Sequence, residues 1–262
     1  LAQTGTGKTA SFGLPLIQKI DNNNSKTQAL VLAPTRELCI QIAADLKDFA
    51  HFKKTNVVAV YGGASITDQA KKLKKGAQII VATPGRLQDM INRRLVDLSH
   101  IDYLVLDEAD EMLNMGFQDA IDEILETASE DRNTWLYSAT MPKSVAKIAS
   151  NYMNDPVEVT CGTKNQAAST VEHQYYLIDN RDRYRTLRRL VDASPGIYAI
   201  VFCRTRAETQ SVAERLMADG YNTGGLHGDM SQVQRDGVMK QFKSKNITIL
   251  VATDVASRGI DV

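Results

Sequence analysis

Residues that could bind phosphate open the chain, in a short polar run rich in glycine and threonine. The run reads Ala2, Gln3, Thr4, Gly5, Thr6, Gly7, Lys8 and Thr9. Two glycines allow such a backbone to curl so that its N–H groups point inward at an anion. A helix that begins after the second glycine would add its N-terminal amides and its dipole, both of which favour phosphate. Lys8 would then reach the β- and γ-phosphates of a nucleotide, and the Thr9 hydroxyl would hold Mg²⁺.

A pair of acids follows an apolar run farther along the chain. Asp107 and Glu108 come directly after residues 103–106, which read YLVL and predict a buried strand. The end of such a strand would hold the Asp107 carboxylate beside the phosphate loop, where it would bind Mg²⁺, usually through water. Glu108 could orient and deprotonate a water molecule. A phosphate cradle, a metal ion and a positioned water are the parts that hydrolysis of a phosphoanhydride requires.

Each motif taken alone also has an ordinary structural interpretation. Residues 2–9 could be a polar turn before a helix, and Ala2 stands where the strict phosphate-loop pattern has glycine. That position mainly requires a small residue, so alanine is compatible with the loop. The acids could simply mark a helix N-terminus, where carboxylates are common. The presence of both motifs in one chain favours the nucleotide site.

Alternating strands and helices are predicted for the first 160 residues. Short apolar runs, each followed by a polar or glycine-rich loop, predict five strands. They cover residues 28–33, 57–61, 78–82, 103–106 and 134–137. Leu38, Ile42 and Leu46 recur along one face of the helix after the first strand. This alternation indicates an α/β fold with a mostly parallel sheet, in which ligands bind at the carboxyl ends of the strands.

A second alternation begins after residue 170. The pattern lapses around residues 158–170 and then predicts four more strands. These cover residues 171–178, 199–202, 223–226 and 247–252. We therefore predict two α/β domains, at residues 1–160 and 171–262, joined by a linker at residues 161–170.

Charge and cysteine content limit the classes of partner and compartment. The 31 basic residues are balanced by 31 acids, so any nucleic-acid contact must come from a local patch rather than from a global positive field. The cysteines Cys39, Cys161 and Cys203 have neither metal-binding nor disulfide spacing, so a reducing cytoplasm fits. No apolar run approaches membrane-spanning length, and no membrane contact is expected.

The acidic motif is the stretch that makes a family resemblance specific. Asp107, Glu108, Ala109 and Asp110 spell the signature of the DEAD-box RNA helicases, and the sequence resembles that family along its whole length. Other stretches match the family's motifs in the family's order. They are residues 2–9, 34–38, 62–63, 83–86, 138–140, 201–205, 232–235 and 252–261, with Ser257 where the family usually has alanine. The resemblance implies two RecA-like domains that close over ATP and one strand of RNA.

The resemblance also implies roles for individual residues in these motifs. Loops of the first domain would contact the RNA backbone through Pro34, Thr35, Arg36, Gly63, Thr83, Pro84, Gly85 and Arg86. The second domain would do so through Arg204, Gln232, Arg235 and Thr253. Asp254 would touch the nucleotide from across the cleft, and Ser138 and Thr140 would be the coupling element that bonds the acidic motif and transmits the nucleotide state. Because backbone contacts carry no sequence information, little sequence specificity is expected.

Two parts of the family pattern lie outside this sequence. One is the adenine-recognition segment, expected upstream together with a central strand that leads into the phosphate loop. The other is an arginine-rich motif, expected soon after Val262. Its arginines would stabilise the transferring phosphoryl group, an effect worth roughly a thousandfold or more in rate. We therefore interpret the chain as a fragment that hydrolyses ATP poorly by itself and leaves a sheet edge unpaired.

The predicted function is that of an ATP-dependent RNA helicase. Such an enzyme is an RNA-dependent ATPase that uses ATP and Mg²⁺ to separate RNA strands locally or to remodel ribonucleoprotein. One alternative is an ATP-dependent RNA clamp whose hydrolysis only resets it. Another is a DNA translocase of a related superfamily, which ATPase stimulation by RNA but not by DNA would exclude. The lysines at 71, 72, 74 and 75 are interpreted as a solvated helix face rather than a nucleic-acid patch.

Overall fold

The computed structural model of the chain describes residues 1–2, 6–161 and 171–253. The chain divides into two compact units, Leu1–Val171 and Glu172–Val262. Nearly all of the predicted linker, residues 162–170, lies outside the described residues. Within the described ranges, no helix has the length and apolar character needed to cross a membrane.

The first unit contains a five-stranded parallel sheet. Its strands are β1 (Ala29–Leu32), β2 (Val57–Val60), β3 (Ile79–Ala82), β4 (Tyr103–Leu106) and β5 (Asn133–Leu136). Its helices are α1 (Lys8–Lys19), α2 (Arg36–Phe49), α3 (Ile66–Lys74), α4 (Pro84–Asn92), α5 (Ala109–Asn114), α6 (Gln118–Thr127) and α7 (Lys143–Tyr152). The strand order is β2-β3-β1-β4-β5, with Ala29 in register with both Ile79 and Tyr103. The carboxyl ends of the strands therefore line up along one edge.

Burial on both faces explains why these strands are short apolar runs. All four residues of β1 and of β3 are buried, as expected for central strands of a parallel sheet that helices cover. On one face the core contains Leu16 of α1 and Ile42 of α2. On the other face it contains Leu87 of α4 and Ile124 of α6. The sheet is thus the middle of three layers.

The first two residues of the chain lie at the carboxyl end of β5. The Ala2 N–H donates to the Ser138 carbonyl at 3.1 Å, and the Leu1 carbonyl accepts from the Cys161 N–H at 2.9 Å. The start of the phosphate loop therefore has backbone partners in two different segments.

The second unit contains a three-stranded parallel sheet. A 3₁₀ turn (Asn180–Asp182) precedes α8 (Arg183–Asp192), β6 (Ala199–Cys203), α9 (Arg206–Ala218), β7 (Thr223–Leu226), α10 (Gln232–Lys243) and β8 (Ile249–Thr253). The strand order is β6-β8-β7. Leu216 of α9 packs with Val251 on one face, and Phe242 of α10 packs with Leu250 on the other. The two parallel sheets flanked by helices confirm the α/β prediction.

One predicted strand is wrong. Residues 171–178 form no strand and are exposed throughout, with Tyr175 86% and Leu177 93% exposed. Their apolar pattern suits a strand, but a strand also needs a neighbour that takes its backbone hydrogen bonds. In the described part of the second unit, β6 and β7 each pair with β8 alone.

Candidate functional site

The phosphate loop ends on the N-terminus of a helix. α1 begins at Lys8, directly after Gly7, whose φ of +85° lies in the left-handed region that glycine tolerates best. Among the described residues, no side chain caps this end of α1, and its first turn carries no acid. The N–H groups of that turn are therefore available to an anion. The predicted ligands Gln3, Thr4 and Gly5 lie outside the described residues.

The Lys8 ammonium group is buried without a hydrogen-bond partner in the described part of the chain. An unpaired buried charge is costly, so the position suits a phosphate ligand. Burial raises the pKa values of Asp107 and Glu108, and the Lys8 charge acts against that rise. The start of α1 and the acid pair therefore lie close enough to act on one ligand.

Asp107 is held rigidly at the end of β4. Its backbone N–H donates to the Leu32 carbonyl at 2.9 Å, and its side chain is almost fully buried. Burial raises its pKa to about 6, although the Lys8 charge and the Glu108 N–H act in the opposite direction. A nearby cation would favour the charged form of such a carboxyl group, so the environment fits a metal ligand.

Glu108 occupies a left-handed backbone conformation, with φ +50° and ψ +51°. This conformation costs a non-glycine residue about 1–3 kcal/mol, and such residues cluster at functional sites. The Glu108 N–H donates to Asp107 Oδ1 at 3.0 Å. Burial and the charge of Asp107 raise the pKa of Glu108 to about 7. A carboxyl group with a pKa near neutrality is suited to proton transfer.

The residues present fit Mg²⁺ bound together with a nucleotide. Among the described residues, no group of three or more histidine, cysteine or acidic side chains could hold a metal ion by itself. Mg²⁺ usually takes one or two protein ligands and completes its shell with phosphate oxygens and water. Asp107 and the hydroxyl of Thr9, in the first turn of α1, match that donor set.

The loop after β5 is bonded to the acidic motif. Thr140 donates to Asp110 Oδ2 from its backbone N–H at 3.0 Å and from its hydroxyl at 2.5 Å. The buried Ser138 hydroxyl donates to the Thr140 carbonyl at 2.7 Å and accepts from the Asp110 N–H at 3.4 Å. Three hydrogen bonds therefore join Asp110 to residues 138–140. Sequence reasoning assigned Asp110 no separate role, although it lies in the acidic motif.

The predicted RNA-binding loops of the first unit lie along the same edge of the sheet as Asp107. They follow β1, β2 and β3, whose carboxyl ends are in register with each other, and β1 is in register with β4. Gly63 and Gly85 are exposed, and the two arginines are half-buried. The other predicted contacts are buried: Pro34, Thr35, Thr83 and Pro84.

Helices α2 and α4 begin within two of these loops. Thr35 caps α2, because its hydroxyl accepts from the Leu38 N–H at 3.2 Å. α4 begins at Pro84 with no side-chain cap among the described residues. The N–H groups of Gly85 and Arg86 therefore point out of the helix start, where phosphate oxygens bind well.

One residue that sequence reasoning missed, Gln69, joins these loops. Gln69 of α3 is buried, and its amide bonds both backbone groups of Tyr61: Nε2 donates to the carbonyl at 3.0 Å, and Oε1 accepts from the N–H at 3.2 Å. Arg86 Nη1 donates to the Ala64 carbonyl at 2.9 Å and to Gln69 Oε1 at 3.4 Å. The signal that could have found Gln69 is its position next to Ala70, an apolar residue of α3 that is buried. A glutamine buried beside it needs hydrogen-bond partners for its amide.

The predicted RNA-binding residues of the second unit also lie at the carboxyl edge of their sheet. The last residue of β6 is in register with Thr253 of β8, and the exposed Arg204 follows β6 directly. Gln232 begins α10, and Arg235 lies in its first turn. The predicted nucleotide ligand Asp254 lies outside the described residues.

Two family models match the chain. The model described as DEAD/DEAH box helicase matches residues 1–148, and the model described as helicase conserved C-terminal domain matches residues 182–262. ATP-dependent RNA helicase CshA of Listeria monocytogenes is 46% identical over 261 residues. DEAD-box ATP-dependent RNA helicase CshA of Bacillus subtilis is 45% identical over 261 residues. Each alignment covers 100% of this chain but 50% and 53% of the relatives, so the chain spans about half their length.

Solved structures give a similar result. S. cerevisiae Dbp5 bound to RNA and ADP BeF3 matches with a TM-score of 0.88 and 28% identity, over 100% of this chain and 67% of that one. A DEAD box protein from the hyperthermophile Methanococcus jannaschii matches with a TM-score of 0.59 and 42% identity, over 100% of this chain and 70% of that one.

Proposed function

Because the chain belongs to the DEAD/DEAH box helicase family, we propose that it acts as part of an ATP-dependent RNA helicase. The observation that carries the proposal is the buried Lys8 ammonium group, which lies near Asp107 and Glu108 and has no hydrogen-bond partner among the described residues. A triphosphate would neutralise Lys8, and its metal ion would neutralise the acids. The names of the bacterial relatives, both ATP-dependent RNA helicases, support the same activity.

ATP would place its phosphates on the loop of residues 3–9 and on the start of α1. Asp107 and Thr9 would hold the Mg²⁺ ion, which neutralises phosphate charge when bound. Glu108 would orient the attacking water and accept its proton, a role that its raised pKa supports.

RNA would bind along the loops at the carboxyl edges of the sheets. In the first unit, exposed glycines and the start of α4 would meet phosphate oxygens, and Arg36 and Arg86 would add charge. In the second unit, Arg204, Gln232, Arg235 and Thr253 would do the same. Yeast Dbp5, 28% identical to this chain, is solved bound to RNA, which supports RNA as the ligand. Such contacts would recognise the backbone with little sequence specificity.

ATP binding would favour a closed state of the two units around RNA, and hydrolysis would reopen it. Closure would bend one strand and separate it locally from its partner or from bound protein. The loop of residues 138–140 would report the nucleotide state through Asp110. We place this activity in the cytoplasm, because the cysteines at 39, 161 and 203 are free thiols.

The test uses the full-length protein, since the chain spans about half of its relatives. Phosphate release is measured with ATP alone, with single-stranded RNA, and with DNA of the same sequence. We expect stimulation by RNA and little by DNA, because the 2′-hydroxyl distinguishes the two. Lys8→Ala should abolish ATP binding in a calorimetric titration. Lys243→Ala, at an exposed position in the last turn of α10, is the control and should bind ATP normally.

Separation of a short RNA duplex distinguishes a helicase from a clamp. The helicase releases strands in an ATP-dependent reaction, whereas a clamp would only remain on the RNA. An RNA-independent ATPase, or full ATP binding by Lys8→Ala, would contradict the proposal.

A further inference from the structure

The glycine loop between β2 and α3 is held at both ends by side chains from outside it. Tyr61 at its start is bonded through both backbone groups to Gln69, and the Ala64 carbonyl at its end accepts from Arg86. Between them, residues 62 and 63 are exposed, and Gly63 has a φ of +79°. Glycines lose more conformational freedom on ordering than other residues. A loop that is already held at both ends therefore loses less freedom when a ligand binds.

Gln69 is an unusual residue for its position. Most glutamines are exposed, but Gln69 is 5% exposed and lies on the buried side of α3. Its Oε1 atom accepts from both the Tyr61 N–H and Arg86, and its Nε2 atom donates to the Tyr61 carbonyl. An apolar side chain of the same length would fill the space but break all three bonds.

The Tyr61 ring extends the network to a third loop. The Arg36 guanidinium lies over this ring, 5.0 Å from its centroid, a distance typical of cation–π pairs. Arg36 follows β1 and Arg86 follows β3. Loops from three neighbouring strands therefore meet at Tyr61 and Gln69.

We propose that Gln69 is a positioning residue for RNA binding, which holds the glycine loop and the Arg86 guanidinium in the geometry that meets the RNA backbone. This inference rests on the RNA-binding function proposed above for these loops. Gln69 acts through Tyr61 and Arg86, because protein groups occupy both ends of its amide. Its loss weakens RNA binding and leaves ATP binding, which uses α1 and the end of β4, unchanged.

Gln28 provides a matched control within the same unit. It is 4% exposed, its Oε1 accepts from the Asp21 N–H at 2.9 Å, and its Nε2 donates to the Asp21 carbonyl at 2.8 Å. Gln28 thus bonds both backbone groups of one residue, as Gln69 does, and its Nε2 also donates to the Asn24 carbonyl at 3.0 Å. Gln28 directly precedes β1, however, and so lies at the opposite, amino-terminal edge of the sheet.

The experiment compares full-length Gln69→Met and Gln28→Met with the unmodified protein. Binding of a fluorescent single-stranded oligoribonucleotide is titrated in the presence of a non-hydrolysable ATP analogue, and analogue binding is titrated without RNA. We expect Gln69→Met to weaken RNA binding about tenfold relative to Gln28→Met, as expected for loss of a small hydrogen-bond network. Both variants should bind the analogue normally. Equal RNA affinity of the two variants overturns the inference.

A conservative variant separates positioning from general stability. Gln69→Glu keeps the acceptor that Arg86 and the Tyr61 N–H use but loses the donor to the Tyr61 carbonyl, so its RNA affinity should be intermediate. If Gln69→Met does not fold, the RNA affinities of Gln69→Glu and Gln28→Glu are compared instead. Weaker binding by Gln69→Glu supports the inference, and equal affinity overturns it. If the unmodified protein binds no RNA, the proposed function fails and this inference with it. Normal RNA binding by the unmodified protein and by Gln69→Met overturns the inference alone.

Discussion

Thr140 gives two hydrogen bonds to one oxygen of Asp110, from its backbone N–H at 3.0 Å and from its hydroxyl at 2.5 Å. Asp110 follows β4 and Thr140 follows β5, so the pair links the loops of two adjacent strands. Thr140→Val removes the hydroxyl bond but keeps the N–H bond and the side-chain shape. We expect ATP hydrolysis to continue, while the amount of duplex separated per ATP hydrolysed falls roughly fivefold or more. A roughly fivefold effect is the lower end of typical coupling between two sites.

Thr127→Val is the control for this variant. The Thr127 hydroxyl donates to the Ile124 carbonyl, within its own helix, and should not affect coupling. Strand separation and phosphate release are measured in one reaction. An unchanged ratio in Thr140→Val would show that the pair stabilises the loop without transmitting the nucleotide state.

Glu108→Gln tests the assignment of the general base. Glutamine keeps the size of the side chain but cannot accept a proton, so turnover should fall by at least about a hundredfold. ATP and RNA should still bind with near-normal affinity, because the phosphate loop and the RNA loops are intact. Calorimetry measures binding and steady-state phosphate release measures turnover. Glu214→Gln, at an exposed position on α9, should match the unmodified protein, and normal turnover of Glu108→Gln would exclude this residue as the base.

The pKa of Asp107 predicts how ligand-free stability depends on pH. Burial raises that pKa from 3.8 to about 6 in the folded state, so the folded state binds the proton more tightly than the unfolded chain. Stability is therefore highest below the unfolded value and is lost as the pH rises through the folded value. Asp107→Asn cannot lose a proton and keeps the acceptor for the Glu108 N–H. At pH 8 it should be more stable than the unmodified protein by up to about 3 kcal/mol.

Urea unfolding near pH 4 and pH 8 measures this difference. The advantage of Asp107→Asn should be small near pH 4, where the carboxyl group is protonated in the folded state and still partly protonated in the unfolded chain. Asp119→Asn, at an exposed position in the first turn of α6, is the control for the loss of one acidic side chain. An equal effect of Asp107→Asn at both pH values would contradict the raised pKa.

The sequence predicts those residues of the site whose type and local position together indicate a role. Lys8 follows a glycine at a helix start, and Asp107 ends a strand whose last three residues are buried, so both positions follow from local pattern. The wrong strand at 171–178 has such a pattern but lacks a described neighbour to pair with. Gln69 of α3 bonds Arg86 of α4, 17 residues away along the chain. Periodicity carries no information about polar pairs of this kind.

Lys53 is a second case of a contact between distant segments, and it bonds the C-terminal end of the helix that begins with Lys8 and Thr9. Its ammonium group donates to the carbonyls of Ile17, Gln18 and Ile20, each at 2.7 Å, at the C-terminal end of α1. These carbonyls have no partner within the helix, and a cation there also interacts well with the helix dipole. Lys53→Met keeps the aliphatic stem and should destabilise the protein by about 1–2 kcal/mol.

ATP affinity should fall in the same variant, because α1 carries Lys8 and Thr9 at its other end. Lys54→Met is the control, since Lys54 is exposed and adjacent, and its φ of +58° strains either side chain equally. Urea unfolding and an ATP titration measure the two effects. Equal stability of the two variants would mean that water satisfies the α1 carbonyls as well as Lys53 does. Reduced stability with normal ATP affinity would mean that the first turn of α1 is positioned by β4 and the acids, independently of its C-terminal end.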